Sequence, residues 1–287
     1  MPKYPAITLR ICFQLSLFIL AAPLSAQASL PESSSVPGGI SIVPLGSVSS
    51  SVNAPHTWLG EQPVLVTSDH NEWYAVVGLP LSIKPGSHEL KVKMGDETRV
   101  QSFVVKSKKY PAQYITLKDT GKVELNPEDE ARAVREIATI KELKLHWSDE
   151  DKTDLDFIIP AEGSLSGNFG LRRFFNGKPR SPHAGLDVAV PRDTPVMSSA
   201  AGKVLAVDDY FFNGKTIFVD HGNGLITMYC HLDQSDVKTG DKVSKGQTIG
   251  LSGMSGRATG PHLHWSVILN GAMVDPQLFI EEKHQRQ

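Results

Sequence analysis

Three Asn-Gly pairs, Asn213-Gly214, Asn223-Gly224 and Asn270-Gly271, punctuate the second half of the chain between the short apolar runs KVLAVD, KTIFVD, LITMYCH and HLHWSVIL. Asn and Gly tolerate positive φ at both central positions of a two-residue turn, whose twist matches that of paired antiparallel strands. Residues 155–287 are therefore expected to be antiparallel β throughout. The first half carries the runs ISIVPLG, PVLVTSD, EWYAVVGL, HELKVKMG and ETRVQSFVVKS, parted by turn formers such as Asp69-His70-Asn71 and Met94-Gly95-Asp96. That spacing predicts a small Ig-like β-sandwich over residues 39–110. The period changes in NPEDEARAVREIATIKELKLHW, where Asn126 can cap, Pro127 suits the first helical position, acids fill the first turn and Lys141 and Lys144 lie near the end. One helix, over about 126–146 within a linker of residues 111–154, is predicted to bridge two β domains in a mainly β protein.

The beginning of the chain has a different character. Lys3 and Arg10 precede an apolar run over residues 11–22, followed by the small-x-small pattern Ala26-Gln27-Ala28. This reads as a secretory signal over residues 1–28, cleaved near Ala28. The run contains Gln14 and Ser16 and falls short of the roughly 20 apolar residues that span a bilayer, so no stable membrane insertion is expected after cleavage. Residues 29–38 are Ser/Pro-rich and predict a loose tether. Cleavage would remove Cys12 and leave Cys230 without an intramolecular partner, so stability must rest on the core or on a metal. With 29 Lys+Arg against 31 Asp+Glu the chain has no basic excess with which to hold a run of phosphates, and nucleic acid is not an expected partner.

Of ten histidines, five, His183, His221, His231, His262 and His264, fall between residues 183 and 264. His183 and Asp187 form H-x-x-x-D, a separation that returns to one face whether the segment is helical or extended. His262 and His264 form H-x-H on an expected strand and share a face. His183, Asp187 and His264 would supply three zinc ligands and leave a fourth position open, the pattern of a catalytic site. There is no H-E-x-x-H, and no glutamate lies between Glu162 and Glu281, so a proton shuttle must be His or Asp. Tyr229 and His231 are expected to share a face opposite Met228 and Cys230, which would direct Cys230 into the core and set His231 and His262 beside the metal for proton transfer and oxyanion stabilisation. Three further residues are candidates for touching substrate: Tyr229 through its hydroxyl, Asn168 of SGNFG through its amide, and Arg172, with Arg173, through carboxylate binding. Each has a plain alternative, as packing, turn cap or solvated surface. His221, in DHGNG, is expected to be a hairpin residue and not a ligand.

The H-x-x-x-D, the later His231 and the H-x-H, together with the stretches SGNFGLRRFFNGKPRSPHAGLDVAVPRDTPVMSSAAGKV, DHGNGLITMYCHL and VKTGDKVSKGQTIGLSGMSGRATGPHLHW, resemble the lysostaphin-type, or LytM-like, zinc metallopeptidases that cut the peptide part of peptidoglycan. The preceding β-rich segment and helix resemble the N-terminal portion of Gram-negative members. The resemblance implies one Zn2+ per chain held by His183, Asp187 and His264, with His231 and His262 acting in catalysis. It implies a periplasmic enzyme whose substrates are peptidoglycan stem and cross-link peptides, and specifically a DD-endopeptidase at the D-alanine to diaminopimelate bond. The family's other activities, glycyl-glycine cleavage and non-catalytic activation of amidases, are the alternatives it leaves. The N-terminal β domain is a candidate cover for the groove.

Overall fold

A computed structural model describes residues 30–49, 53–116 and 125–280. The expected signal segment, residues 1–28, lies outside them. In the first half six strands, β1 (Ile40–Ser47), β2 (His56–Leu59), β3 (Gln62–Asp69), β4 (Glu72–Gly78), β5 (Gly86–Met94) and β6 (Glu97–Val105), pair antiparallel in the order β1-β4-β3-β2-β5-β6. His70 and Asn71, at φ 46° and 64°, make the tight turn between β3 and β4. The sheet bends so that its two halves enclose one core, with Val43, Leu45, Val77, Leu90, Val92 and Phe103 turned inward. The short β2 had no signal in the sequence reading, because HTWL is polar at its first two positions.

Beyond this sheet lie β7 (Ala112–Ile115) and the single α-helix of the described residues, α1 (Pro127–Lys144). Asn126 caps α1 by accepting the Asp129 N–H at 2.9 Å. The remaining strands are β8 (Ser164–Gly167), β9 (Arg172–Phe175), β10 (Lys178–Pro179), β11 (Leu186–Ala189), β12 (Pro195–Met197), β13 (Gly202–Tyr210), β14 (Gly214–Asp220), β15 (Leu225–Ser235), β16 (Lys242–Val243), β17 (Thr248–Ser252), β18 (Leu263–Leu269) and β19 (Ala272–Val274), with a 3-10 turn over Pro276–Phe279 after them. The large sheet runs β16-β13-β14-β15-β18-β11-β8, with β17 beside β15 and β12, and β19 beside β18. All its pairings are antiparallel, and Asn270 and Gly271 take positive φ in the β18–β19 turn. The one parallel pairing among the described residues joins β7 to β9, where the chain leaving the first half lies along the second. No helix among the described residues is long and apolar enough to cross a membrane.

Period-two alternation divides the large sheet between two cores. Leu263, Trp265, Val267 and Leu269 of β18, with Leu225 and Tyr229 of β15, face the main core. Ile226, Met228, Cys230 and Ile268 face the other way, against Ile140 and Leu143 of α1. Ile40, Leu65 and Val76 of the first half enter the main core, so the two halves share buried surface. They are also latched: the Gly78 N–H donates to Asn270 Oδ1 at 2.6 Å and Asn270 Nδ2 donates to the Gly78 carbonyl at 3.1 Å. This latch sits at the end of β18 away from His264.

The Ser/Pro-rich stretch expected to be a loose tether is held in place from residue 30 onward. Glu32 N–H donates to the Leu278 carbonyl at 2.7 Å, Ser34 pairs with Ile40, and Pro37 is buried with its carbonyl accepting the Tyr110 hydroxyl. A composition too polar to build a core of its own is here ordered by backbone groups that find partners in both halves.

Candidate active site

Asp187 of β11 and His264 of β18 stand directly opposite each other in the antiparallel register, on the face away from the main core. His183 arrives from the loop before β11, fixed by its own backbone: its N–H donates to the Leu171 carbonyl at 2.9 Å and its carbonyl accepts the Gly170 N–H at 2.7 Å. The H-x-x-x-D segment must then pass very close to β18. A Cβ on Gly185 would come within 2.5 Å of the Trp265 carbonyl and 2.8 Å of the His264 ring, so only glycine fits.

The three side chains meet at a point. His183 Nε2 is 2.9 Å from Asp187 Oδ1 and 3.0 Å from His264 Nδ1, and His264 Nδ1 is 2.9 Å from the same Asp187 oxygen. Each ring is anchored by its far nitrogen, His183 Nδ1 donating to the Asn168 carbonyl at 3.0 Å and His264 Nε2 pairing with Ser266 Oγ at 2.9 Å. With both rings neutral the near nitrogens are lone-pair donors, and a proton on either is donated to Asp187 Oδ1. Metal bonds of about 2.0–2.1 Å at tetrahedral angles separate neighbouring ligand atoms by about 3.3 Å, so a small outward adjustment opens this triangle for a metal ion. The outer hydrogen bonds are of the kind that orient metal-binding histidines. Burial raises the Asp187 carboxyl, but the two imidazoles more than reverse this and hold it well below the usual carboxylate range. Burial lowers His264, favouring the neutral ring that a metal needs.

His231 and His262 flank this cluster. Their ring centroids are 4.7 Å apart, His231 is 6.1 Å from the His264 ring, and His262 Nε2 is 3.8 Å from Asp187 Oδ1. Both donate Nδ1–H to a backbone carbonyl, His231 to Ser255 at 2.9 Å and His262 to Gly260 at 2.8 Å. Since a carbonyl only accepts, both rings keep Nε2 as the proton acceptor. Burial, with the neighbouring His264 and His262, lowers His231 to about 4.

His231 reaches this position through a departure from strand geometry. Its φ is 63°, and the β14–β15 register passes from Ile217↔Tyr229 to Lys215↔Leu232, one extra residue on β15. This bulge reverses the alternation, so Tyr229 and Leu232 both enter the main core while His231 swings to the histidine face. The shared face expected for Tyr229 and His231 is therefore corrected. Tyr229 is 0% exposed, and its hydroxyl accepts the Ser199 N–H at 2.8 Å and lies 3.0 Å from Thr227 Oγ1, out of reach of any substrate. Cys230 is buried against α1, with its thiol pushed up to about 11 by burial.

The other candidates divide. Asn168 is beside the cluster, but it acts there through its backbone carbonyl, with its side chain exposed. Arg172 is exposed on β9, and it is the next residue, Arg173, whose guanidinium lies 3.9 Å from Asp187 Oδ2. His221 is a satisfied core residue, with Nδ1–H donating to the Ala201 carbonyl at 2.8 Å and Nε2 2.8 Å from Thr227 Oγ1. Sequence reasoning passed over Ser266, although period two from His262 through His264 already puts it on the same face. It also passed over Gly167, where a Cβ would lie 2.3 Å from Asp187 Oδ2, a closeness that no local pattern signals.

Residues 181–276 match the model of Peptidase family M23, and residues 33–108 match that of the Peptidase family M23 N-terminal domain. A solved structure of a Pseudomonas aeruginosa protein assigned to the M23 peptidases is 42% identical, covers 86% of this chain and 95% of its own, and superposes with a TM-score of 0.73. The peptidoglycan DD-endopeptidases ShyA and ShyC of Vibrio cholerae serotype O1 are 42% and 40% identical over 120 and 115 residues. Those segments are 42% and 39% of this chain but only 28% and 26% of the two relatives.

Proposed function

Because the chain belongs to peptidase family M23, we propose that it is an exported zinc metalloendopeptidase that hydrolyses the peptide cross-links of peptidoglycan, acting as a DD-endopeptidase in the periplasm. The observation that carries this reading is the convergence of His183 Nε2, Asp187 Oδ1 and His264 Nδ1, each imidazole tied back by its outer nitrogen, beside two further histidines whose acceptor nitrogens are free to work. The similarity to relatives named DD-endopeptidases supports the choice of bond.

His183, Asp187 and His264 would hold the zinc. When bound, zinc supplies a Lewis acid and lowers the pKa of a water to about 7. His231 and His262 carry the proton traffic. With Nδ1–H already given to a carbonyl, either ring can take a proton at Nε2 as water attacks the scissile carbonyl carbon. The imidazolium so formed is a donor at that same nitrogen, suited first to the negative charge on the former carbonyl oxygen and then to the departing amine. Ser255 and Gly260 hold the rings still during this exchange, because their carbonyls bind Nδ1–H in both protonation states.

The test is digestion of cross-linked peptidoglycan by the purified protein, with added zinc or with chelator, beside His264→Ala. Zinc-dependent conversion of dimeric to monomeric muropeptides with glycan strands intact is expected, with loss of both metal and cleavage in the variant. Protein that holds stoichiometric zinc and leaves the dimers whole would overturn the reading.

A further inference from the structure

Arg173 lies beside the metal cluster with its hydrogen-bonding capacity unused. Its guanidinium Nη2 is 3.9 Å from Asp187 Oδ2, an ion-pair distance too long for a hydrogen bond. Among the described residues, that is the one polar interaction its side chain makes. The side chain is 36% exposed, so its donors are open to a ligand. A guanidinium offers five N–H donors in a planar fork that matches a carboxylate. The strand that carries it is well fixed. β9 lies between β7 and β10, and Tyr114 stacks on the adjacent Phe174 with ring centroids 4.7 Å apart.

The two oxygens of Asp187 have separate surroundings. Oδ1 meets His183 and His264, while Oδ2 faces Arg173 and lies against Gly167. An arginine needed to fix this carboxylate would donate to it at about 2.7–2.9 Å. The observed separation instead leaves the fork available at the rim of the place where the scissile carbonyl must sit.

Resting on the DD-endopeptidase reading, we propose that Arg173 binds the free carboxylate carried by the carbon next to the scissile amide nitrogen. In a D-alanyl bond to a diamino diacid, the nitrogen belongs to a carbon that also bears a carboxylate. That carboxylate carbon is three bonds from the scissile carbonyl carbon, a reach of about 3–4 Å, so a substrate centred on the cluster carries its charge toward the rim where Arg173 stands. An internal glycyl-glycine bond has no charge at this position. Arg173 thereby selects the charged cross-link over neutral peptides, as a specificity residue that touches substrate and takes no part in proton transfer.

The experiment uses the full-length zinc-loaded protein and two synthetic peptides that differ only in that group, free carboxylate in one and carboxamide in the other. Wild type is expected to prefer the carboxylate peptide about tenfold or more in kcat/KM, through KM, the effect of a charged hydrogen-bonded pair. Arg173→Gln should remove the preference while keeping its zinc and its rate on the carboxamide. Arg173→Lys, with charge but no fork, should fall between. Zinc lost and both peptides slowed equally in Arg173→Gln would make Arg173 an anchor of Asp187 and overturn the inference. Wild type cutting both peptides equally would overturn it while the proposed activity stands, whereas wild type cutting neither, with zinc in place, would remove the proposed activity and this inference together.

Discussion

Two polar clusters lie on opposite faces of the same sheet, and they differ in how their hydrogen bonds balance. In the main core, His221, Thr227, Tyr229 and Ser199 form a chain that runs from the Ala201 carbonyl to the Ser199 N–H, each linking atom partnered within the core. At the site, His183, Asp187 and His264 turn three acceptor atoms toward one another at 2.9–3.0 Å, and their donors are engaged on the outside. The residue types overlap, histidine above all. A cluster whose donors and acceptors match is part of the scaffold, and one left with converging lone pairs is poised to take a cation.

The largest separation between the clusters is expected from Ser266→Ala. Losing the outer partner of His264 should weaken zinc binding by about 10- to 100-fold with little change in folding, because such outer partners tune metal affinity. Metal competition titration and thermal unfolding of the same preparations read the two effects apart. A variant that binds zinc as wild type does would show that the His264 ring is oriented by packing alone.

A smaller effect, opposite in kind, is expected from His221→Leu. It leaves the Ala201 carbonyl without the ring that donates to it and the Thr227 hydroxyl with Tyr229 alone, at about 1–3 kcal/mol for an orphaned buried group. The melting temperature should fall by roughly 3–10 °C at about 2–4 °C per kcal/mol, while zinc content matches that of wild type. Loss of zinc in this variant would mean that the two faces are coupled through β15.

The smallest expected effect is on pH dependence. Burial, against the opposing hydrogen bond to Ala201, keeps His221 below its ordinary value and neutral in the fold. Its contribution is fully present above the unfolded value of about 6.5 and is lost as pH falls below it, because the unfolded chain then binds a proton that the fold refuses. Denaturation of zinc-loaded protein at pH 7.5 and 5.5 should show wild type losing stability on acidification, and His221→Leu losing less, by about one proton's worth. Equal slopes would place the acid sensitivity elsewhere.

Much of the architecture was legible. Asn126 and Pro127 announced the start of α1, and the Asn-Gly pairs announced turns that the sheet uses. The site was legible as residue types, since H-x-x-x-D and H-x-H put ligand chemistry at strand spacing. What failed was parity. Tyr229 looked like a neighbour of His231 because period two holds for a regular strand, and one residue at φ 63° reverses it. Arg172 and Arg173 were indistinguishable, because which face of a short strand meets the site depends on β9 pairing with β7, a segment distant in sequence.

By itself the sequence determined that this is a β protein of two parts joined by a helix, and that five residues of types able to bind a metal or carry a proton lie in the second part. Those features follow from local rules, turn propensity, capping and side-chain alternation, which act over a few residues. Only the tertiary structure decided which atoms of those residues meet, that His231 leaves the face of Tyr229, that Arg173 and not Arg172 stands beside Asp187, and that the Ser/Pro-rich stretch is held between the halves. Each of these depends on register between distant strands or on one residue at positive φ, and a one-residue shift in either sends a side chain to the opposite face.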